Sequence, residues 1–257
     1  MKNCFVDTHC HLNHEDLYQN IDLVLKEAKD NGVELLIVPG YDLASSKKAI
    51  EIAHQYDGVY AAIGFHPTEI KNYTDAEYNW LAEAAIDEKV VGIGEIGLDY
   101  HWDTTTREEQ RESFIRQLKI ATDAHKPVII HCRDANQDTF DIIKEYYNSP
   151  VGGVMHSYAG SAEMAIEYNK MNFYISLGGP VTFTNAKEPK RVALMVDVKY
   201  LLTETDSPYL APHPYRGTQN SPRYIPLIAA KIAEIKGIEV EELKANVREN
   251  AKCLFKI

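Results

Sequence analysis

Cys4-Phe5-Val6-Asp7-Thr8-His9-Cys10-His11 carries a short apolar run closed by two histidines two positions apart. Side chains two apart on a strand point to the same side, so both imidazoles can grip one ion. The arrangement recurs along the chain. His66, Glu95, His131, His156 and Asp206 each stand at the end of a later apolar run.

Runs rich in Val, Ile, Leu and aromatic residues span 3–9, 33–39, 59–65, 90–96, 127–131, 152–156, 173–178 and 200–205. Segments with the apolar spacing of a helix separate them, among them 15–31, 43–56, 106–125 and 135–147. Near-continuous apolar strands alternating with helices form a parallel sheet covered by helices, and eight such units close a barrel. The sequence therefore predicts an α/β fold, a (β/α)8 TIM barrel, with residues 1–257 as one domain. The hydrophobic content of 45% suits one barrel core of this length. Extra length falls in the last unit, where Pro-rich 207–226 leads to helices near 223–236 and 239–253.

Composition narrows the partners. A net charge of −11 argues against a protein that coats duplex nucleic acid, because that needs clustered Lys and Arg. A local phosphate site remains compatible, since bound cations supply positive charge where side chains do not. No apolar stretch reaches the roughly 18 residues of a membrane helix, and Met1-Lys2-Asn3-Cys4 leads directly into a strand, so neither a membrane span nor a secretion signal is expected. The four cysteines show no framework spacing. Reduced thiols in a cytosolic protein are the expectation; the sequence does not fix the oligomeric state, for which a monomer is favoured.

On a barrel, strand ends distant in sequence share one mouth, the face where barrel enzymes build their sites. His9, His11 and Asp206 would then hold one divalent ion, His131 and His156 a second, and Glu95 would bridge them. Asp206 is also placed to accept a proton from the attacking water. Taken singly, each residue reads as a hydrogen-bonded strand end, and Asp206 before Ser207-Pro208 as a turn residue. Their joint placement decides the matter, because clustering buried, unpaired ionisable groups is costly and coordination offsets that cost. Gly92, Gly94 and Gly97 match a dinucleotide-binding spacing, but Glu95 and Asp99 lie in it and no helix opens there. These glycines instead let a strand pack closely at the site. His14, His54, His101, His125 and His213 are assigned to the surface or to loops.

Thr8-His9-Cys10-His11-Leu12, Gly64-Phe65-His66-Pro67, Gly94-Glu95-Ile96-Gly97-Leu98-Asp99-Tyr100, Val128-Ile129-Ile130-His131-Cys132-Arg133-Asp134-Ala135 and Leu202-Thr203-Glu204-Thr205-Asp206-Ser207-Pro208-Tyr209-Leu210, in this order, resemble the motifs of the TatD-family metal-dependent hydrolases. The resemblance covers essentially the whole chain. It implies a barrel of the amidohydrolase superfamily and a deoxyribonuclease, often of the 3′ to 5′ exonuclease type. It also implies metal positions at His9, His11, Glu95, His131, His156 and Asp206, and a place near the substrate phosphate for His66. Asp206, Glu95 and His66 would thus be the catalytic set.

Where the family commonly has Met-His-Cys-Phe-Ser-Gly, this chain has Met155-His156-Ser157-Tyr158-Ala159-Gly160. The histidine survives and the seating of the substrate beside it changes. Arg133 and Arg216 are candidates for phosphate contact, and Trp102, Tyr158, Tyr209 and Tyr215 for stacking on a splayed base. The implied partner is DNA, entered at single-stranded ends, with two divalent ions, Mg, Mn or Zn, as cofactor. The ion held by His131, His156 and Glu95 is expected to be the weaker bound. Two other readings stand beside this one. The first is an amidase, deacylase or lactonase that attacks a carbonyl carbon with the same water, and the second a non-catalytic metal-binding scaffold.

Overall fold

The computed structural model describes residues 4–257, so Asn3, the first residue of the first predicted run, lies outside the described residues. The eight runs are eight strands: β1 Phe5–Asp7, β2 Val33–Pro39, β3 Val59–Ile63, β4 Val90–Asp99, β5 Val128–Arg133, β6 Gly153–Met155, β7 Phe173–Leu177 and β8 Leu201–Thr203. They pair in chain order, each parallel to the next. Helices α1 Glu15–Tyr18, α2 Ile21–Asp30, α3 Leu43–Gln55, α4 Asp75–Ala84, α5 Arg107–Asp123, α6 Asn136–Tyr146, α7 Ala162–Lys170, α8 Lys187–Met195, α9 Ile225–Lys236 and α10 Val240–Phe255 cover the outside. The protein is a (β/α)8 barrel.

Closure between β8 and β1 rests on a few bonds rather than a regular ladder. The Thr8 N–H donates to the Thr203 carbonyl at 3.0 Å, and the Thr203 hydroxyl to the Val6 carbonyl at 2.8 Å. Beyond the strands, Asp206 N–H donates to His9 O and His11 N–H to Ser207 O, each at 2.8 Å. The seam thereby carries Asp206 to the two histidines nearly two hundred residues earlier.

Apolar continuity explains the strands. All ten residues of β4 are buried, and Ile37, Ile63, Ile93 and Ile129 are fully so. Each such side chain contributes about 1.5–3 kcal/mol of transfer free energy. β4 runs three residues past the apolar run because Gly97 tolerates φ 143° and lets β5 approach; a Cβ there would lie 2.0 Å from the His131 carbonyl oxygen. Close packing by small residues at this strand is thus the function of the glycines.

The single helix expected over 15–31 is two. It breaks at Gln19 and Asn20, where Asn20 takes φ −128° and precedes α2, in keeping with the preference of Asn for helix ends over interiors. Helices α4 and α8 bury only two side chains each, too thin a stripe to stand out in the sequence. Thr106 opens α5 with a capping box, its side chain accepting from Glu109 N–H and Glu109 answering on the Thr106 backbone. Among the described residues, no helix is long and apolar enough to cross a membrane.

Candidate metal centre

The barrel mouth gathers His9, His11, Glu95, His131, His156 and Asp206, and the two oxygens of Glu95 divide them. Its Oε2 lies 3.3 Å from His9 Nε2 and 3.8 Å from His11 Nε2. Its Oε1 lies 2.9 Å from His131 Nδ1 and 3.0 Å from His156 Nε2. Asp206 Oδ1 joins the first nest, 3.7 Å from His9 Nε2 and 3.5 Å from His11 Nε2. Asp206 holds φ 55°, a left-handed conformation sustained by its N–H bond to His9.

The donor set fits divalent cations. His9 Nε2 and His11 Nε2 stand 3.2 Å apart, while Nδ1 of both rings is buried without a hydrogen bond. With their protons on Nδ1, both rings turn a lone pair on the space that Glu95 and Asp206 also face. Ligand atoms about 2.0–2.2 Å from one ion lie roughly 3.0–3.5 Å from each other, near the spacings seen. Among the described residues, three groups converge closely enough to hold an ion: His9, His11 and Asp206; His9, Glu95 and His156; and His66, Asp99 and His131.

Two buried carboxylates absent from the sequence-derived set orient the second nest. Asp99 Oδ2 lies 2.9 Å from His131 Nε2, which turns Nδ1 of that ring toward Glu95. Its Oδ1 accepts from the His101 and Trp102 N–H groups. Glu204 Oε1 lies 3.4 Å from His156 Nδ1 and accepts from Ser157 N–H, leaving Nε2 to face the mouth. The Asp99–His131 hydrogen bond sets that ring's tautomer and raises its basicity as a ligand, whereas Glu204 lies near His156 Nδ1 without a hydrogen bond to it. Asp99 lies in the Gly97-Leu98-Asp99 extension of β4, and Glu204 two residues before Asp206.

Electrostatics keep both mouth carboxylates ionised, and the neighbouring carboxylates raise His131 and His156 against the effect of burial. Burial works to raise the Glu95 carboxyl, but the charge of His156 and hydrogen bonds from His131, His156 and His9 hold it well below its usual range. Burial likewise opposes, and the His11 hydrogen bond and neighbouring imidazoles prevail at Asp206, which is also lowered. Burial and the neighbouring His131 push His66 down to about 3, so it is neutral near pH 7. Its Nδ1 is gripped by the Thr68 hydroxyl at 2.7 Å and N–H at 3.2 Å, and Nε2 faces the mouth 3.6 Å from Glu95 Oε1.

Among the residues suggested for substrate contact, Arg133 and Trp102 lie together and Tyr209 stands beside His11, with ring centres 6.5 Å apart, while Arg216 lies elsewhere against Phe183. Arg133 and Arg216 are exposed, with their guanidinium carbons 5.7 Å from the Trp102 ring centre and 4.4 Å from that of Phe183. Trp102 and Tyr209 are about half exposed, and Tyr215 stacks on Tyr224. Tyr158 departs from expectation. It is buried, its ring packs against Tyr168, and its hydroxyl donates to the Ser161 carbonyl, so it presents no face to a base. The extra hydroxyl of tyrosine is satisfied inside the fold. Among the described residues, the convergent groups do not include His14, His54, His101, His125 or His213.

A buried histidine–carboxylate mouth on a (β/α)8 barrel defines the class of metal-dependent barrel hydrolases. A family model described as TatD related DNase matches residues 6–256, and the chain belongs to the TatD family. It is 47% identical over 251 residues, 98% of each chain, to the uncharacterized metal-dependent hydrolase YabD of Bacillus subtilis. It is 32% identical over 241 residues, 92% of this chain and 93% of the other, to the 3'-5' ssDNA/RNA exonuclease TatD of Shigella flexneri. The crystal structure of YJJV, a TatD homologue from Escherichia coli, matches all of both chains with a TM-score of 0.95 at 29% identity.

Proposed function

We propose that this metal-dependent hydrolase is a deoxyribonuclease that works with two divalent ions and removes nucleotides from single-stranded 3′ ends, as a cytosolic monomer. The observation that carries the reading is the division of Glu95, one oxygen turned to each nest of ligands. Membership of the TatD family, and a relative named as a single-strand exonuclease, favour phosphorus over carbon as the centre attacked.

His9, His11 and Asp206 would hold one ion, and His131 and His156 the other, with Glu95 between. Such a pair supplies charge for the scissile phosphate and lowers the pKa of water. Asp206, kept ionised, accepts the proton that the attacking water gives up. His66, neutral and held by Thr68, bears on a phosphate oxygen through Nε2. The net charge of −11 favours a short strand end entering the mouth over a long duplex footprint.

Digestion of 5′-labelled and 3′-labelled single-stranded DNA by metal-stripped protein, with magnesium, manganese or zinc restored singly, tests this. Metal-dependent shortening from the 3′ end, abolished in Glu95→Ala and slowed about 10²- to 10⁴-fold in Asp206→Asn, is expected. Inert DNA with tightly bound metal would overturn it in favour of hydrolysis at a carbonyl carbon.

A further inference from the structure

Beside the metal mouth, the segment joining β4 to α5 walls a cleft of about 500 Å³. Asp99 is the wall the two share: it lines the cleft and pairs with His131. Trp102 forms part of the rim and is 54% exposed. Its backbone N–H is held by Asp99, His101 packs perpendicular to its ring at 4.8 Å, and the Arg133 guanidinium lies 5.7 Å from the ring centre.

Lys71 and Arg107 stand on the same lining, Arg107 over the Tyr100 ring at 4.3 Å. Neither they nor Arg133 enter an ion pair among the described residues. Lys71 and Arg107 are the cations of a wall that also carries Asp99, and Arg133 lies outside it against the Trp102 ring. Asp103 and Glu109 also line the cleft, so it is no general anion trap. A ligand must bring an aromatic face together with its charge, and a nucleotide does both.

We propose that this cleft is a nucleotide subsite of the metal centre, in which a base of the single-stranded substrate stacks on Trp102 while a neighbouring phosphate meets Lys71 and Arg107. The inference rests on the nuclease reading and adds to it the place where the strand beyond the scissile phosphate is held. It requires single strands, since a base stacked on Trp102 has left its partner.

The test compares metal-loaded wild type, Trp102→Ala and Trp102→Phe on a single-stranded DNA oligonucleotide and on bis(4-nitrophenyl) phosphate, which is too small to span both sites. Loss of one base stack predicts that Trp102→Ala raises KM for the oligonucleotide roughly 5- to 150-fold more than for the small diester. Trp102→Phe should recover most of the difference. Lys71→Ala with Arg107→Ala should flatten the salt dependence of the oligonucleotide KM. In a Trp80→Phe background, Trp102 emission should be quenched by a phosphorothioate oligonucleotide and not by inorganic phosphate. An oligonucleotide cleaved by wild type, with equal penalties on both substrates and no quenching, would overturn the subsite and leave the nuclease reading standing. A wild type inert on the oligonucleotide would overturn both.

Discussion

Asp99→Asn exposes the logic of the second nest because it changes one oxygen for an amide and little else. In the native protein Asp99 Oδ1 accepts from His101 N–H at 2.9 Å and Trp102 N–H at 3.3 Å, while Oδ2 meets His131 Nε2 at 2.9 Å. An asparagine must keep its carbonyl on the two backbone donors, so its NH₂ group faces His131. The ring then accepts at Nε2 and carries its proton on Nδ1, the atom 2.9 Å from Glu95 Oε1. A protonated nitrogen has no lone pair for an ion. Affinity at the His131 nest should fall about 10- to 100-fold, or roughly 1.4–2.7 kcal/mol, while the His9 and His11 nest is spared. Asp99→Ala leaves Nε2 to water and the tautomer free, so it should lose no more than Asp99→Asn. Chelator competition on metal-stripped protein, resolved into two binding events, measures both, with circular dichroism confirming the fold. Binding by Asp99→Asn indistinguishable from wild type at both nests would refute the tautomer reasoning.

Ion loading should stabilise the fold, because the mouth assembles residues the unfolded chain scatters. At a free ion concentration about 100 times Kd, each site adds about 2.7 kcal/mol and raises Tm by roughly 5–10 °C; a calorimetric scan unmoved by metal would count against a cation site. Tyr158→Phe removes the donor to the Ser161 carbonyl and should cost about 1 kcal/mol in urea unfolding with no rise in KM for DNA. A raised KM with unaltered stability would return that ring to the substrate.

The eight strands were legible because their signal is local. β4 reads as Val90-Val91-Gly92-Ile93 without reference to any partner, and β5 as Val128-Ile129-Ile130. The six residues of the mouth were legible for the same reason, each closing such a run, and the barrel topology then places all strand ends together. The helices were less so. The break at Asn20 and the thin stripes of α4 and α8 reflect packing against neighbours that a window of sequence does not contain. Within the site, nothing in the spacing separates Asp99 and Glu204 from other carboxylates at strand ends; what marks them is contact with His131 and His156, 32 and 48 residues away.

Sequence alone therefore determined the fold class and which residues stand at the mouth, since apolar continuity and strand period are properties of neighbouring residues. Tertiary structure decided how the oxygens of Glu95 are shared, which carboxylate holds which ring, and that Tyr158 is spent on the core while Trp102 is left to solvent. Those depend on distances between residues far apart in the chain, and they exist only once the seam between β8 and β1 has closed.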